Sequence, residues 1–277
     1  MITTVPYEFK ETSVLMFANN KGGVGKTTTA LNEAAALSEK GKSVIYVDFD
    51  DSTNSSFHIK AKNSSEKCFP ISSFLTNPDL AIQDCILWGT KLNNVGLIPS
   101  DKGIKKALEA KAHGSDEEIL KIVMRLREAL ISLDGLVDYI IIDASPTMDT
   151  AVKIALSVTT HLMFVIDGSS YSEQGVVNMM QSEEMQFVKK HNPNQIILGV
   201  LLNKIDTRTT NSRLKIEKEK IGGVTRIPTY IPDRKEVDNN TYTQEFVVGP
   251  GKISLIADCY RELADFIIKN TQHNEVG

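Results

Sequence analysis

Residues 20–30 read NKGGVGKTTTA, and this glycine-rich stretch decides the fold. The usual phosphate-binding loop has the pattern G-x-x-x-x-G-K-[ST]. Aligning Gly25-Lys26-Thr27 with the end of that pattern places Asn20 where the first glycine should be, and a second lysine, Lys21, follows directly. The stretch is therefore a phosphate-binding loop that departs from the usual pattern at its first position and carries two lysines.

An apolar run precedes this loop and an alanine-rich segment follows it. Residues 14–18 (VLMFA) predict a buried strand, and residues 27–40 have helical spacing. Further strands are predicted at 43–49, 95–99, 138–143, 161–166, 196–202 and 225–231, and helices at 115–133, 171–190, 212–221 and 253–270. This alternation predicts an α/β fold with a doubly wound, mainly parallel sheet and helices on both faces. Because no repeat or linker interrupts it, residues 1–277 are expected to form a single domain.

Composition limits the classes of protein to which the chain can belong. The chain has 277 residues and a formal net charge of −4, which neither favours nor excludes nucleic acid as a partner. Its three cysteines lie far apart, which disfavours a disulfide framework or a zinc site. No apolar signal segment opens the chain, and no apolar run approaches the ~20 residues of a membrane helix. We therefore expect a cytoplasmic protein.

The residues of the loop have distinct expected roles. Its glycines let backbone N–H groups point at an anion, and the helix that begins near Thr27 adds its positive end. Lys26 is expected to reach the β- and γ-phosphates, and the Thr27 hydroxyl to bind Mg²⁺. Nucleotide contacts are expected from Gly22, Gly23, Val24, Gly25, Lys26, Thr27 and Thr28.

Acidic residues end two of the predicted strands. Asp143 closes DYIIID at 138–143, the Walker-B position for Mg²⁺, although it could instead cap the next helix. Asp48 and Asp50 lie in VDFD at 47–50 and share one face of their strand. Such a pair can orient a Mg²⁺-bound water or the attacking water, and a plain polar turn is the alternative.

A polar cluster also follows the strand at 196–202. Asn203-Lys204-x-Asp206 has the form of the base-reading element of GTPases, but the motif is short. We expect Asn203 to lie near a purine and expect no guanine specificity through Asp206.

Three blocks together resemble a known family. KGGVGKTT at 21–28, VDFD at 47–50 and DYIIIDASP at 138–146 are similar in sequence, order and spacing to the ParA/MinD group of deviant Walker-A ATPases. LGVLLNKID and TYIPD are similar to the shorter partition ParA proteins within it. The resemblance implies the P-loop NTPase fold, the cofactors ATP and Mg²⁺, slow ATP hydrolysis, and a homodimer with ATP sandwiched between the subunits.

The resemblance also implies roles for individual residues. Lys21 would contact the phosphates of the partner subunit, Lys26 those of its own, and Asp50 would position the hydrolytic water. The implied metal ligands are Thr27, Asp48 and Asp143, and the implied adenine contacts are Asn203, Pro232 and Asp233. Asp51 and Ser52 stand where the family commonly has Pro and Gln, a departure that bears on hydrolysis rather than on nucleotide binding.

The resemblance further implies macromolecular partners. ParA-type ATPases bind DNA non-specifically as ATP dimers, associate with the nucleoid, and are stimulated by a ParB-type centromere-binding protein. Basic side chains give such sequence-independent binding by neutralising backbone phosphates. The residues expected to contact DNA are Arg208, Arg213, Lys215, Lys218, Arg234 and Lys235, with a merely solvated helix as the alternative.

Other functions within the same group are less favoured by the sequence. A MinD-like positioning ATPase that acts on a membrane needs a basic amphipathic C-terminal helix, and ADFIIKNTQHNEVG has no basic face, so no membrane contact is expected. An iron–sulfur role is disfavoured because Cys68 and Cys85 fall outside the matching blocks. No DNA-reading domain is expected ahead of the loop. A nucleotide-dependent scaffold that hydrolyses ATP very slowly stays open.

Overall fold

The computed structural model describes residues 7–61 and 66–272. The strands are β1 (Ser13–Ala18), β2 (Val44–Phe49), β3 (Val95–Ile98), β4 (Tyr139–Ala144), β5 (His161–Ile166), β6 (Ile196–Ile205), β7 (Lys220–Ile221) and β8 (Val224–Pro232). The helices are α1 (Lys26–Glu39), α2 (Asn54–Ile59), α3 (Ile71–Thr76), α4 (Ile104–Ala112), α5 (Asp116–Ile131), α6 (Thr150–Val158), α7 (Ser170–Gln181), α8 (Glu183–His191), α9 (Thr210–Glu217), α10 (Lys235–Thr243) and α11 (Leu255–Thr271), with a 3-10 helix at Ile82–Cys85.

The strands form one sheet in the order β3-β2-β4-β1-β5-β6-β8-β7. Neighbouring strands are parallel except for the antiparallel pair β7–β8. The predicted doubly wound, mainly parallel α/β fold is thus confirmed. From β1 the chain first builds the half that contains β2 to β4 and then the half that begins with β5. The loop after β1 therefore lies at the switch point, where ligands bind in such sheets.

Alternate side chains of each central strand enter two different cores. In β1, Val14 and Met16 pack on one face of the sheet, while Leu15 and Phe17 pack on the other. Helices α3 to α8 cover the first face, and α1 and α11 cover the second. Because both faces are buried, the strands read as continuous apolar runs rather than as alternating ones.

The short helices and one predicted helix end differ from the sequence-based expectation. Helices α2, α3, α4, α6 and α10 and the 3-10 helix were not predicted, because segments of this length show too little periodicity. The predicted helix at 212–221 is wrong at its C-terminal end, since α9 stops at Glu217. Gly222 and Gly223 have φ angles of 58° and 84°, and this turn pairs β7 antiparallel with β8.

Candidate functional site

The glycine-rich loop joins β1 to α1 with a backbone shape suited to an anion. Gly25 immediately precedes α1 with φ 93° and ψ 25°, in the left-handed region that glycine adopts without strain. A Cβ atom at this position would lie 2.1 Å from Asn203 Nδ2, so a side chain would also collide. Among the described residues no side chain caps α1 at Gly25, so its first N–H groups face the loop, as in a phosphate site.

The two lysines of the loop have different surroundings. Lys26 is buried, and its Nζ donates to the carbonyl oxygen of Lys21 across the loop at 3.2 Å. Burial lowers the pKa of Lys26, and the carboxylates of Asp143 and Asp50 oppose that shift. Lys21 is only partly buried, and its Nζ lies 2.7 Å from Asp167 Oδ2 and 2.7 Å from Ser169 Oγ. Lys26 thus bonds within the phosphate-binding loop, while Lys21 bonds to residues outside the loop, at the rim of the site.

Asp167, the partner of Lys21, was missed from the sequence. It follows β5, and its Oδ1 accepts from the Ser169 N–H at 3.0 Å and from the Ser169 hydroxyl at 2.6 Å. Partial burial raises the pKa of Asp167, but hydrogen bonds from Lys21 and Ser169 outweigh it and hold that pKa well below its usual range. Asp167 therefore stays ionised, and only its position at the C-terminal end of a strand was a signal in the sequence.

Thr27 and Asp143, two of the predicted metal ligands, lie together. Thr27 Oγ1 donates to Asp143 Oδ1 at 3.1 Å, and Asp143 Oδ2 is buried with no hydrogen-bond partner among the described residues. Burial and the neighbouring carboxylate of Asp48 raise the pKa of Asp143 to about 7. A bound cation would give the buried oxygen a partner and would stabilise the ionised form of Asp143. This oxygen therefore fits a metal ion or a water bound to it.

The described residues hold no group of three or more His, Cys, Asp or Glu side chains that could bind a metal ion by themselves. Mg²⁺ is commonly bound by one or two carboxylates together with nucleotide phosphates and waters. The Thr27–Asp143 pair therefore suits Mg²⁺ that arrives with a nucleotide.

Asp48 and Asp50 occupy the strand end beside Asp143. Asp48 is paired in register with Asp143 across β2 and β4, and it is fully buried. Its oxygens accept from the Asp50 N–H at 3.0 Å and from the N–H and hydroxyl of Ser56 at 2.9 and 2.6 Å. Asp48 thus fixes the segment that carries Asp50, and its direct role toward Mg²⁺ stays a prediction. Asp50 is half-buried, and it lies close enough to Lys26 for its negative charge to raise the pKa of that lysine.

The residues predicted to contact adenine line one narrow cleft. Asn203, Pro232 and Asp233 meet Thr28 of α1 there, and Lys204, Arg234 and Val237 complete its walls. Asn203 is buried and its Nδ2 donates to the Val24 carbonyl at 2.8 Å, so it also fixes the glycine-rich loop. Asp206 is held by Arg208 through two hydrogen bonds of 2.8 Å and takes no part in the cleft lining.

Asn19 is a second residue that sequence reasoning missed. It is buried, and its Nδ2 donates to the carbonyl oxygens of Val165 and Ser172 at 2.8 and 3.1 Å. Its Oδ1 accepts from the Lys21 N–H at 2.9 Å. Asn19 therefore ties the start of the loop to β5 and α7, next to the Lys21–Asp167 pair.

The basic residues predicted to contact DNA do not form one uniform patch. Five of them are exposed: Arg208, Arg213, Lys218, Arg234 and Lys235. The assignment of Lys215 is corrected, because it is buried and its Nζ donates to the carbonyl oxygens of Ser169 and Asp167 at 2.6 and 3.3 Å. It packs α9 against the segment that carries Asp167. Lys218 follows the end of α9 and lies 3.3 Å from a carboxylate oxygen of Glu173.

Comparison with known proteins agrees with this geometry. A protein family described as "AAA domain" matches residues 12–198, which include the loop and both acidic strand ends. The chain belongs to this family, in the ParA/MinD group of P-loop ATPases. Its ParA/MinD relatives include the sporulation initiation inhibitor protein Soj of Bacillus subtilis, 29% identical over 212 residues, which are 75% of this chain and 78% of Soj. The chromosome partitioning protein ParA of Myxococcus xanthus is 29% identical over 208 residues, 74% of this chain and 69% of that protein.

Solved structures of similar fold include further ATPases and an ATP-binding synthase. Cobyrinic acid a,c-diamide synthase of Mycobacterium smegmatis, with a bound ATP analog and magnesium, has a TM-score of 0.72 and 25% identity, and the match covers 94% of this chain and 96% of the synthase. The cell division ATPase MinD of Pyrococcus furiosus has a TM-score of 0.71 and 20% identity, with coverage of 93% and 99%, and shows the fold alone. The ParA/MinD membership predicted from the three sequence blocks is confirmed by the family match and by the relatives Soj and ParA.

Proposed function

We propose that this ParA/MinD-group chain is a Mg²⁺-ATP-dependent, dimerising partition ATPase that binds DNA non-specifically and segregates a plasmid or chromosome. Its relatives Soj and ParA support this assignment. The observation that carries it is the difference between the two loop lysines. Lys26 is buried in its own loop, while Lys21 is partly exposed at the rim, where the phosphates of a partner subunit would replace Asp167 as its anion.

The chain's own residues account for nucleotide binding and hydrolysis. ATP and Mg²⁺ are the cofactors. Residues 22–28, which include Lys26, would hold the phosphates. Thr27 and Asp143 would hold Mg²⁺, which neutralises charge on the phosphates when it is bound. Asp50, directly after β2, would orient the attacking water, which needs a fixed acceptor for in-line attack.

Dimerisation would follow from the second lysine. Two ammonium groups repel each other unless a polyphosphate lies between them, so Lys21 of one subunit would approach Lys26 of the other only across a bound nucleotide. ATP carries more negative charge than ADP and would hold the sandwich more strongly. We infer that the ATP dimer is the DNA-bound state and that the ADP monomer leaves DNA.

The exposed basic residues support DNA as the surface that the dimer binds. Arg213 and Lys235 are exposed, and a symmetric dimer would present each of them twice. A ParB-type centromere-binding partner would stimulate hydrolysis, and the protein would act in the cytoplasm on the nucleoid. The alternative is a MinD-like positioning ATPase on a membrane or protein scaffold. None of the helices formed by the described residues is long and apolar enough to cross a membrane.

Binding to a random-sequence DNA duplex with ATP, with ADP and without nucleotide, across a salt series, tests this proposal. We expect binding with ATP alone, and it should weaken steeply as salt rises. Arg213→Gln/Lys235→Gln should flatten the slope of log K against log salt by about 2 to 4, because each lost phosphate contact contributes about 0.9. Lys189→Gln/Lys190→Gln, with the same charge change on the exposed end of α8, is the matched control and should keep the wild-type slope.

The outcomes separate the two candidate functions. Nucleotide affinity and ATP-dependent dimerisation are measured in parallel, so a loss of DNA binding is not confused with a loss of the switch. Normal dimerisation with no DNA binding in any nucleotide state would overturn the partition role and favour the positioning ATPase.

A further inference from the structure

Lys105 connects two loops of the site. It is the second residue of α4, and its Nζ lies 3.5 Å from Asp51 Oδ1 and 3.4 Å from Asp149 Oδ2. The same ammonium group donates to Thr147 Oγ1 at 3.2 Å. Asp51 directly follows Asp50, while Thr147 and Asp149 lie in the loop that leaves β4 after Asp143. One side chain outside the phosphate-binding loop therefore bridges the segments that follow the two acidic strand ends.

The loop after β4 is a fixed support for this contact. Asp149 Oδ1 accepts from the Val152 N–H at 3.0 Å and caps α6, and its Oδ2 accepts from the Thr147 hydroxyl at 3.0 Å. Thr147 is bonded in turn to the Ser145 hydroxyl at 2.8 Å. Asp149 is thus held by its own helix, and Lys105 transfers that fixed position to the segment that carries Asp50.

Charge gives the contact its strength. Asp51 and Asp149 share the Lys105 ammonium, and the Asp50 carboxylate also acts on it. Neighbouring carboxylates repel each other unless a cation lies among them. Partial burial lowers the pKa of the Lys105 ammonium, but the carboxylates of Asp149, Asp51 and Asp50 together raise that pKa by more than burial lowers it. The net shift of the pKa is upward. Lys105 is therefore charged at neutral pH, and its side chain is more buried than that of Asp51.

We propose that Lys105 is a positioning residue for ATP hydrolysis: it clamps the Asp50–Asp51 segment to Asp149 and so holds Asp50 in the orientation that directs the attacking water. This inference rests on the proposed role of Asp50 in hydrolysis. Among the described residues, the hydrogen bond and ion pairs of Lys105 join it to Thr147, Asp51 and Asp149 and to no residue of the phosphate-binding loop. Its removal should therefore affect turnover and leave nucleotide binding intact.

Lys105→Gln is the decisive variant and Lys106→Gln its matched control, because Lys106 is the exposed neighbour on the same helix. In single-turnover assays we expect the hydrolysis rate of Lys105→Gln to fall roughly tenfold with the ATP Kd unchanged, since a misplaced catalytic group is costly. Lys105→Arg should restore most of the rate. Asp51→Asn should also slow hydrolysis, and the double variant Lys105→Gln/Asp51→Asn should be no slower than Lys105→Gln, because both changes break one contact.

Hydrogen exchange provides a readout that does not depend on hydrolysis. Amides of residues 50–56 should exchange about fivefold faster in Lys105→Gln than in Lys106→Gln, while those of α6 stay protected. Equal exchange in the two variants would overturn the clamp, whether or not the wild-type protein hydrolyses ATP. Faster exchange with an unchanged hydrolysis rate would also overturn the positioning role. A wild-type protein that binds no ATP would instead refute the proposed function.

Discussion

Replacing Asp167 with asparagine should strengthen ATP-dependent dimerisation. In the monomer, Lys21 Nζ is held 2.7 Å from Asp167 Oδ2, and this contact must break before Lys21 can reach a partner subunit. Asparagine keeps an Oδ1 acceptor for the N–H and hydroxyl of Ser169, so the local turn should survive. The substitution therefore removes the charge that retains Lys21, together with a favourable charge near the buried Lys215 ammonium.

The size of the effect follows from the geometry of the pair. At 2.7 Å and an effective dielectric constant of about 20, the gross attraction is roughly 6 kcal/mol. The two side chains are 31% and 20% exposed, so water screens the pair, and desolvation of both ions offsets much of the rest. A net value of about 1–2 kcal/mol per subunit is the order expected for a partly buried, charge-assisted hydrogen bond. Since a symmetric dimer releases two such lysines, the dimer should become at least about 30-fold tighter.

Sedimentation velocity with Mg²⁺ and a slowly hydrolysed ATP analogue measures the dimer dissociation constant. Lys21→Ala should abolish the ATP-dependent dimer while keeping some ATP binding. Asp167→Asn should have no effect in the Lys21→Ala background, because its action passes through Lys21. Asp84→Asn removes a charge from an exposed position elsewhere and should leave dimerisation unchanged. Dimerisation of Asp167→Asn that is equal to or weaker than wild type would refute the reasoning.

Two further predictions concern catalysis and stability. Asp50→Ala should bind ATP with near-normal affinity and accumulate as a dimer, while phosphate release falls at least about tenfold; ordinary release would rule out its assigned role. Burial raises the pKa of Glu33 in α1 well above its usual value, so the stability that protonated Glu33 contributes is fully present below its unfolded pKa near 4.5 and is lost as pH rises through the folded value. Glu33→Gln should therefore unfold in urea like wild type at pH 4 and be more stable than wild type by about 1–3 kcal/mol at pH 8. Equal stability of the two proteins at pH 8 would contradict the effect of burial.

Local sequence was enough to predict most of the sheet and the phosphate-binding loop. Apolar runs of strand length marked all the strands except β7, because both faces of this sheet are buried and each strand is apolar throughout. The short helices were missed because their residues have mixed polarity and their stability comes from packing rather than from helical propensity. The end of α9 was misassigned because the Gly222–Gly223 turn favours a hairpin over a continued helix.

The site shows the same division between local and long-range information. The glycines, Lys26 and Thr27 form a local motif, so their roles could be predicted from spacing alone. Asp143 could be proposed from its strand end, but its contact with Thr27 and its register with Asp48 depend on the order of β1, β2 and β4 in the sheet.

What the sequence by itself determined is the α/β fold and the deviant phosphate-binding loop, because these follow from local periodicity and a local motif. Tertiary structure alone decided that Lys21 pairs with Asp167, that Lys215 is buried, and that Lys105 joins the two acidic loops. Each of these lysines meets a partner at least 42 residues away in the chain. The sequence does not distinguish a charged residue that is solvated from one that is paired. Only the packing of distant segments determines which of the two it is.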